Sequence, residues 1–175
     1  MKRAIICVLV LLAAVTAAAR AADPVRAVAV LHPTKDSHVA GTVWFIQENG
    51  KVHVVADITG LTPGPHGFHV HEFGDATSDD ASAAGGHYNP HKMHHAGPTA
   101  PNRHAGDLGN LVADAEGKAH LDVADAGLSL EGADSVIGRA VIVHASADDL
   151  TSQPAGNAGR RVACGVIGVA GPVKH

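Results

Sequence analysis

The fold of this chain is decided by one stretch, Gly67-Phe68-His69-Val70-His71-Glu72-Phe73-Gly74-Asp75. Its apolar residues alternate with two histidines, which is typical of a β-strand, and the alternation places both imidazoles on one face. Histidine on an apolar strand is costly unless a partner satisfies it, and two histidines in phase suggest a metal ion. A solvated pair on an edge strand is the alternative, and the stretch alone leaves both interpretations open.

Short strands joined by turns are predicted on both sides of this stretch. No segment keeps a helical period for three turns, whereas Asn49-Gly50 between two apolar runs is a strong hairpin signal. A second hairpin is predicted around Glu116-Gly117. The other predicted strands are residues 26–31, 39–47, 52–59, 108–114, 119–123, 128–130, 140–144 and 161–169. About eight strands at this spacing indicate an all-β sandwich or barrel.

Two segments interrupt the pattern. Residues 75–106 show no periodicity and are rich in Gly, Ala, Pro, Asp and His, and a loop of this length in a compact domain is usually functional or disordered. It carries more histidines than a solvated loop needs: His87, His91, His94, His95 and His104. Residues 145–160 form a shorter irregular segment.

The spacing His87-(x7)-His95-(x8)-His104-(x2)-Asp107 supplies three imidazoles and a carboxylate. This is a full tetrahedral set for zinc that leaves no position for water, as in structural zinc sites. Metal binding would also order the long loop, because the binding energy becomes folding energy.

A second set is formed by His69 and His71 together with His144, at the end of an apolar strand. An all-imidazole set suits copper. The chain holds 14 histidines but only five aromatic residues, and histidine is the commonest metal ligand. The spacing therefore favours one metal site and makes a second site plausible.

Residues 1–21 are predicted to be a secretory signal peptide. A basic start, an apolar run from residue 4 to 19 and an Ala19-Arg20-Ala21 site fit this interpretation, and the run is short for an uncleaved membrane anchor. Cleavage would leave a domain of residues 22–175 with 10 basic and 17 acidic residues, a net charge of −7. A periplasmic or extracellular acidic domain argues against nucleic acid and membrane surfaces as partners.

Several motifs together resemble the copper/zinc superoxide dismutase family. They occur in the family's order from about residue 27 to residue 170, and their sequences are closer to the eukaryotic-type enzyme than to the usual bacterial periplasmic one. The motifs are GFHVHEFGD at 67–75, GHYNP at 86–90, RHAGDLGN at 103–110, VH at 143–144 with ADDL at 147–150, and GNAGRRVACGVIG at 156–168.

The resemblance implies an eight-stranded Greek-key β-barrel or sandwich with a long metal-binding loop. It implies dismutation of superoxide to dioxygen and hydrogen peroxide by redox cycling of copper, beside a structural zinc ion. The implied copper ligands are His69, His71, His87 and His144. The implied zinc ligands are His87, His95, His104 and Asp107, so that His87 bridges the metals.

Two further residues take roles from the resemblance. Asp148 matches the carboxylate that links a copper-side to a zinc-side histidine, and such a partner fixes ring orientation. Arg161 matches the cation that guides superoxide to copper. A homodimer is also implied, because the family's subunit contacts map onto Phe73, Gly74, Ile137, Gly138 and Val166.

The chain departs from the family in two places. The family ties the metal loop to the last strand by a disulfide, but residues 79–81 stand at the loop partner's place, so Cys164 is expected to be a buried, unpaired thiol. The segment after His144 is also about six residues shorter than in the eukaryotic-type enzyme and lacks its Glu and Lys cluster. Guidance would then rest on Arg161 with Arg160 as its neighbour, in a slower dismutase whose rate depends weakly on salt.

Two other functions remain open at this level. The first is a non-catalytic, secreted copper- or zinc-binding protein on the same scaffold. The second is a β-sandwich interaction module without metals, which the complete set of seven candidate ligands disfavours.

Overall fold

A computed structural model describes residues 25–172, and the regular secondary structure there is almost entirely β-strand. The predicted signal peptide and the prediction that residue 22 begins the mature domain lie outside these residues. In order, the strands are β1 (Val25–Pro33), β2 (Ala40–Glu48), β3 (Lys51–Thr59), β4 (Gly64–His71), β5 (Asp107–Ala113), β6 (Ala119–Asp125), β7 (Ala140–His144), β8 (Arg161–Val166) and β9 (Gly168–Val169). The described part contains one 3-10 turn, Ser82–Ala84, and no helix there could cross a membrane.

The strands form one antiparallel sheet that nearly closes into an eight-stranded barrel. Its order is β5-β4-β7-β8-β1-β2-β3-β6, with the two-residue β9 added on β1. The two outer strands, β5 and β6, are joined by a tight turn in which the Asp114 and Gly117 backbones are hydrogen-bonded, so the ends of the sheet meet. This architecture confirms the all-β, eight-stranded fold expected from the sequence.

The predicted Asn49-Gly50 hairpin is confirmed. Both residues have positive φ, 52° and 76°, as a two-residue turn that follows the strand twist requires. The turn sets the register Glu48↔Lys51 of the β2–β3 pair, and alternate side chains of both strands then point into the barrel. Phe45, Val52 and Val54 are among the fully buried side chains there.

The predicted strand at residues 128–130 is wrong. Leu128 and Leu130 are buried, but they belong to an irregular segment. The Asp125 carboxylate accepts hydrogen bonds from the backbone N–H groups of Gly127 and Leu128, and such a local turn competes with strand pairing. The apolar pattern reflects two leucines that close the barrel interior.

Two other predicted strands differ from the observed ones by more than two residues at one end or at both. Residues 161–169 split into β8 and β9, because the backbone of Ile167 exchanges hydrogen bonds with Gly138 and Arg139. The strand through His69 and His71 begins earlier and ends earlier than residues 67–75. After His71 the chain turns away from the barrel wall, and the backbone N–H groups of Glu72 and Phe73 bond to the loop carbonyls of Gly86 and Ala84.

The long loop is held on the end of β4 by backbone bonds. The Val70 N–H donates to the Gly106 carbonyl at 2.9 Å, and the Tyr88 N–H donates to the Val70 carbonyl at 2.8 Å. The Gly106 N–H then donates to the Tyr88 carbonyl at 2.9 Å. This triangle fixes both ends of residues 88–106 against one strand, so the disordered interpretation of the loop is wrong.

Cys164 is a buried free thiol, as expected. It packs in a small apolar cluster with Ala81 of the long loop, Ala84, Ala140 and Ile142. Burial raises the pKa of the Cys164 thiol, which keeps it protonated and unreactive. Apolar side chains in contact therefore occupy the place where the resemblance implied a disulfide partner.

Candidate metal centre

Two adjacent strands and the long loop bring four imidazoles together. His69 and His71 lie on β4, which pairs with β7 through Val70↔Val141, and His144 is the last residue of β7. The His144 ring lies 5.0 Å from that of His69 and 5.6 Å from that of His71, between centroids. The loop contributes His87, whose ring centroid is 3.9 Å from that of His69.

Backbone carbonyls fix the proton position on two of these rings. His71 Nδ1 donates to the Gly85 carbonyl at 3.0 Å, and His144 Nδ1 donates to the Gly159 carbonyl at 3.1 Å. A carbonyl oxygen can only accept, so each Nδ1 carries the proton and each Nε2 keeps its lone pair.

In His69 the two ring nitrogens have the reverse roles. Its Nε2 lies 2.9 Å from Asp148 Oδ2, which leaves Nδ1 free. The buried nitrogens without a hydrogen-bond partner in this group are His69 Nδ1, His71 Nε2, His87 Nε2 and His144 Nε2. The four rings each offer one ligand atom within 4.8 Å of the others. Unpaired acceptors gathered out of water cost free energy, and a cation removes that cost.

A second group surrounds one oxygen of Asp107. Its Oδ1 lies 2.8 Å from His87 Nδ1, 2.9 Å from His95 Nδ1 and 3.3 Å from His104 Nδ1. The third contact is not aligned as a hydrogen bond, and His104 Nδ1 has no partner. Zinc bonds of 2.0–2.1 Å in a tetrahedron separate ligand atoms by about 3.3 Å. The three distances from Asp107 Oδ1 are thus close to those that a tetrahedral zinc ion would impose, and all four ligand atoms lie within 4.8 Å of one another.

The charge of Asp107 also suits a metal ligand. Its second oxygen, Oδ2, accepts the N–H groups of Ala96 at 3.2 Å and His104 at 3.0 Å. Burial, the largest effect, would raise the pKa of this carboxyl, but hydrogen bonds from His87 and Ala96 and the nearby imidazoles together lower the pKa to about 2. The carboxylate is therefore ionised at neutral pH.

His87 belongs to both groups. One ring nitrogen, Nδ1, faces Asp107, while Nε2 is among the free nitrogens of the four-histidine group. Its ring centroid lies 5.1 Å from that of His71 on one side and 5.3 Å from that of His95 on the other. One imidazole therefore separates two adjacent candidate metal positions.

Asp148 joins the two groups from outside. Its Oδ2 lies 2.9 Å from His69 Nε2, and its Oδ1 lies 2.9 Å from His95 Nε2. The Asn110 side chain holds the Asp148 backbone through two bonds, accepting the N–H at 2.8 Å and donating to the carbonyl at 2.9 Å. The carboxylate is buried, and it contacts one histidine of each group.

Arg161 lies beside the four-histidine group. Its Nη2 donates to the Gly85 carbonyl at 2.6 Å, the same oxygen that accepts from His71, and its Nη1 donates to the Ala81 carbonyl. The guanidinium charge contributes to lowering the pKa of His71 and His144, although burial is the larger cause. The neighbouring Arg160 instead points to the carbonyls of residues 35 and 36.

The remaining histidines of the region lie outside both groups. His91 and His94 are exposed, and His66 is buried with its Nδ1 donating to the His144 carbonyl at 2.8 Å. Sequence reasoning missed two amides that hold the site, Asn110 and Gln153. Asn110 stands inside a quoted motif and could have been suspected, whereas Gln153 lies in an irregular segment that carries no signal.

The metal-free protein should lose stability as the pH falls below the ordinary histidine range. Burial, with smaller contributions from neighbouring imidazoles, lowers the pKa of His69 to about 4 and that of His144 to about 3. The unfolded chain binds these protons near pH 6.5, so protonation favours unfolding between about pH 6.5 and about pH 4. Each such histidine contributes a slope of about 1.4 kcal/mol per pH unit.

Urea unfolding of the chelator-treated protein between about pH 7 and about pH 5 measures this slope. His144→Gln should reduce it. His120→Gln, which removes an exposed imidazole beside Asp57, should leave it unchanged. A free energy of unfolding that stays constant over this range would contradict the buried neutral state of the cluster.

Comparisons with known proteins agree with this geometry. The family model of copper/zinc superoxide dismutase matches residues 39–167. An extracellular Cu-Zn superoxide dismutase of Brugia pahangi is 46% identical over 152 residues, covering 82% of this chain and 75% of that protein. Superoxide dismutase [Cu-Zn] 2 of Mesembryanthemum crystallinum is 48% identical over 152 residues, covering 83% of this chain and 96% of that protein. The chain belongs to the copper/zinc superoxide dismutase family.

Proposed function

We propose that this chain catalyses the dismutation of superoxide to dioxygen and hydrogen peroxide, with copper and zinc as cofactors. The observation that carries the proposal is the shared ring of His87, which lies between a four-imidazole group and a group of three imidazoles and one carboxylate. Imidazoles suit a redox-active copper ion, and the mixed tetrahedral set suits zinc. The family membership of the chain supports the same reaction.

The ligand assignment follows the free nitrogens and the carboxylate. The proposed copper ligands are His69, His71, His87 and His144. The proposed zinc ligands are His87, His95, His104 and Asp107. When bound, copper supplies one-electron oxidation and reduction, while zinc supplies a fixed positive charge and holds the loop in place.

The residues of the chain then bind, orient and protonate the substrate. Two superoxide anions and two protons give one dioxygen and one hydrogen peroxide. His87 Nε2 is the atom that can hold one of these protons, since its Nδ1 is engaged at Asp107. Asp148 orients the rings of His69 and His95, and the Arg161 guanidinium attracts the anion toward the four-histidine group.

The alternative is a copper- and zinc-binding protein without turnover. Superoxide decay with the purified, metal-loaded protein distinguishes the two. His144→Ala removes a proposed copper ligand. The rate should therefore fall by more than about 100-fold, since loss of a residue that only hydrogen-bonds to a metal ligand already costs about 10–100-fold. His120→Ala, which removes an exposed imidazole, should keep the wild-type rate.

Two results would contradict the proposal. If the wild-type protein binds both metals and does not accelerate superoxide decay, the non-catalytic function is correct. If His144→Ala retains the wild-type rate at full copper occupancy, the four-histidine group is not the reaction site.

Arg161 should set the rate of substrate capture with little help from other charges. Arg161→Met is expected to lower kcat/KM by about tenfold or more, within the range of electrostatic steering. Arg160→Met is the matched control, and its effect should be smaller because that side chain bonds to the carbonyls of residues 35 and 36.

The short segment at residues 145–160 offers few charges for long-range steering. Stopped-flow rates of the wild type should therefore change by less than about threefold between about 0.02 M and about 0.2 M salt. A steep fall of the rate with ionic strength would contradict a guidance system that rests on Arg161.

Export is a further part of the proposal. The basic start, the short apolar run and the small residues before residue 22 support a cleaved signal peptide and a periplasmic or extracellular location. One relative bears the name of an extracellular enzyme, which supports the same location.

The proposed enzyme is a homodimer. A groove of about 910 Å³ beside β1 and β8 has a mixed lining, whose apolar part includes Val28, Val30 and Val166. Phe73 is 51% exposed nearby, and a Cβ on Gly74 would lie 3.1 Å from the Val166 side chain, so these residues form one surface. Exposed apolar surface of this kind is typical of a protein–protein contact.

Val166→Asp should convert the dimer to a monomer, measured by sedimentation velocity, because it places a charge in the middle of this surface. Val112→Asp is the matched control. Val112 is 68% exposed on β5 and lies near the first residues of β4, where it pairs with Pro65. Val166 lies near the other end of β4, because its partner Ala140 pairs with the last residue of that strand. A wild type that is monomeric at micromolar concentration would contradict the dimer.

A further inference from the structure

The side-chain amide of Gln153 forms a matched pair of hydrogen bonds with the backbone of His95. The His95 N–H donates to Gln153 Oε1 at 2.9 Å, and Gln153 Nε2 donates to the His95 carbonyl at 2.8 Å. The two residues are 58 positions apart, so the pair joins the short segment 145–160 directly to the long loop. An amide satisfies both groups at once only when the backbone of the partner has one orientation.

His95 needs such a constraint because no strand fixes its backbone. It lies in an irregular part of the loop, yet both of its ring nitrogens are engaged. Nδ1 is 2.9 Å from Asp107 Oδ1, and Nε2 is 2.9 Å from Asp148 Oδ1. A small rotation of the backbone would move both contacts.

The short segment is built to present Gln153 at this position. The Asp149 carboxylate accepts the N–H groups of Thr151 at 3.0 Å and Ser152 at 2.7 Å, which turns the chain just before Gln153. The segment then passes over the site at Gly156, where a Cβ would lie 1.8 Å from Asp148 Oδ1 and 2.7 Å from His95 Nε2. The approach is possible only for glycine.

We propose that Gln153 is a positioning residue for the zinc site, which holds the backbone of His95 so that its ring meets Asp107 and Asp148 together. The proposal rests on the proposed function, in which His95 binds zinc. Asn110 holds the Asp148 backbone in the same two-bond manner, so one amide fixes each partner of the His95–Asp148 contact.

Gln153→Met tests the role of the amide, because it keeps the length of the side chain and removes both hydrogen bonds. Zinc transfer from the loaded protein to a chromophoric chelator should become about tenfold faster, at the lower end of the effect of outer partners on metal sites. The visible spectrum of the protein with cobalt(II) in the zinc site should change, since His95 is no longer held in one orientation.

Gln47→Met is the matched control. Gln47 Oε1 accepts the N–H of Leu130 at 2.7 Å, so the same substitution also removes a bond between a side chain and the backbone, on a strand that carries none of the metal-site residues. Zinc transfer and the cobalt spectrum should stay at their wild-type values in this variant. If both variants release zinc equally fast, the effect of Gln153 is general loss of stability and the proposal is wrong.

Gln153→Asn is the second variant, and it keeps the experiment decisive if Gln153→Met does not fold. It retains the amide but shortens the side chain by one methylene, so it cannot reach both groups of His95, and faster zinc transfer is again expected. Wild-type transfer rates in both Gln153 variants would overturn the proposal. An Asp107→Ala variant, which lacks a proposed zinc ligand, should take up no zinc. If the wild type also takes up no zinc, the proposed function is wrong, and this result differs from a failure of the Gln153 proposal alone.

Discussion

The metal centre depends on one constraint. Buried imidazole nitrogens that carry no proton face one another, and each needs a partner for its lone pair. Two backbone carbonyls and two carboxylates engage one nitrogen of each ring in the four-histidine group, which leaves the other nitrogen directed at a common point. No side chain among residues 25–172 supplies a donor to these nitrogens. A bound cation removes the cost of burying them, so metal binding adds to the free energy of folding.

The barrel supplies the rigid part of this arrangement and the loops supply the rest. The pairing of β4 with β7 fixes the distances among three histidines, because strand register leaves no freedom along the sheet. His87, His95 and His104 come from an irregular segment, whose order depends on the backbone bonds to Val70 and on the Asp107 carboxylate. Since residues 25–172 hold no disulfide, the loop is also held by the Arg161 guanidinium and by the Lys35 N–H, which donates to the Asp79 carbonyl at 2.7 Å.

Much of the fold could be predicted because local chemistry and tertiary structure agree there. The His-x-His alternation and the Asn49-Gly50 turn each have one good structural solution, and the structure adopts it. The predicted strand at residues 128–130 is wrong because the Asp125 carboxylate accepts hydrogen bonds from backbone N–H groups at the start of this stretch. Gln153 could not be found from the sequence, since its partner lies 58 positions away and nothing in its neighbours marks it.

We predict that two metals share the ring of His87, and anomalous diffraction from crystals of the metal-loaded protein would reveal both positions. Data at the copper and zinc absorption edges should give two separate peaks, each about 2 Å from a different nitrogen of His87. The copper peak should lie among His69 Nδ1, His71 Nε2 and His144 Nε2, and the zinc peak beside Asp107 Oδ1. A single peak, or two peaks of which only one contacts His87, would show that the metals do not share this ring.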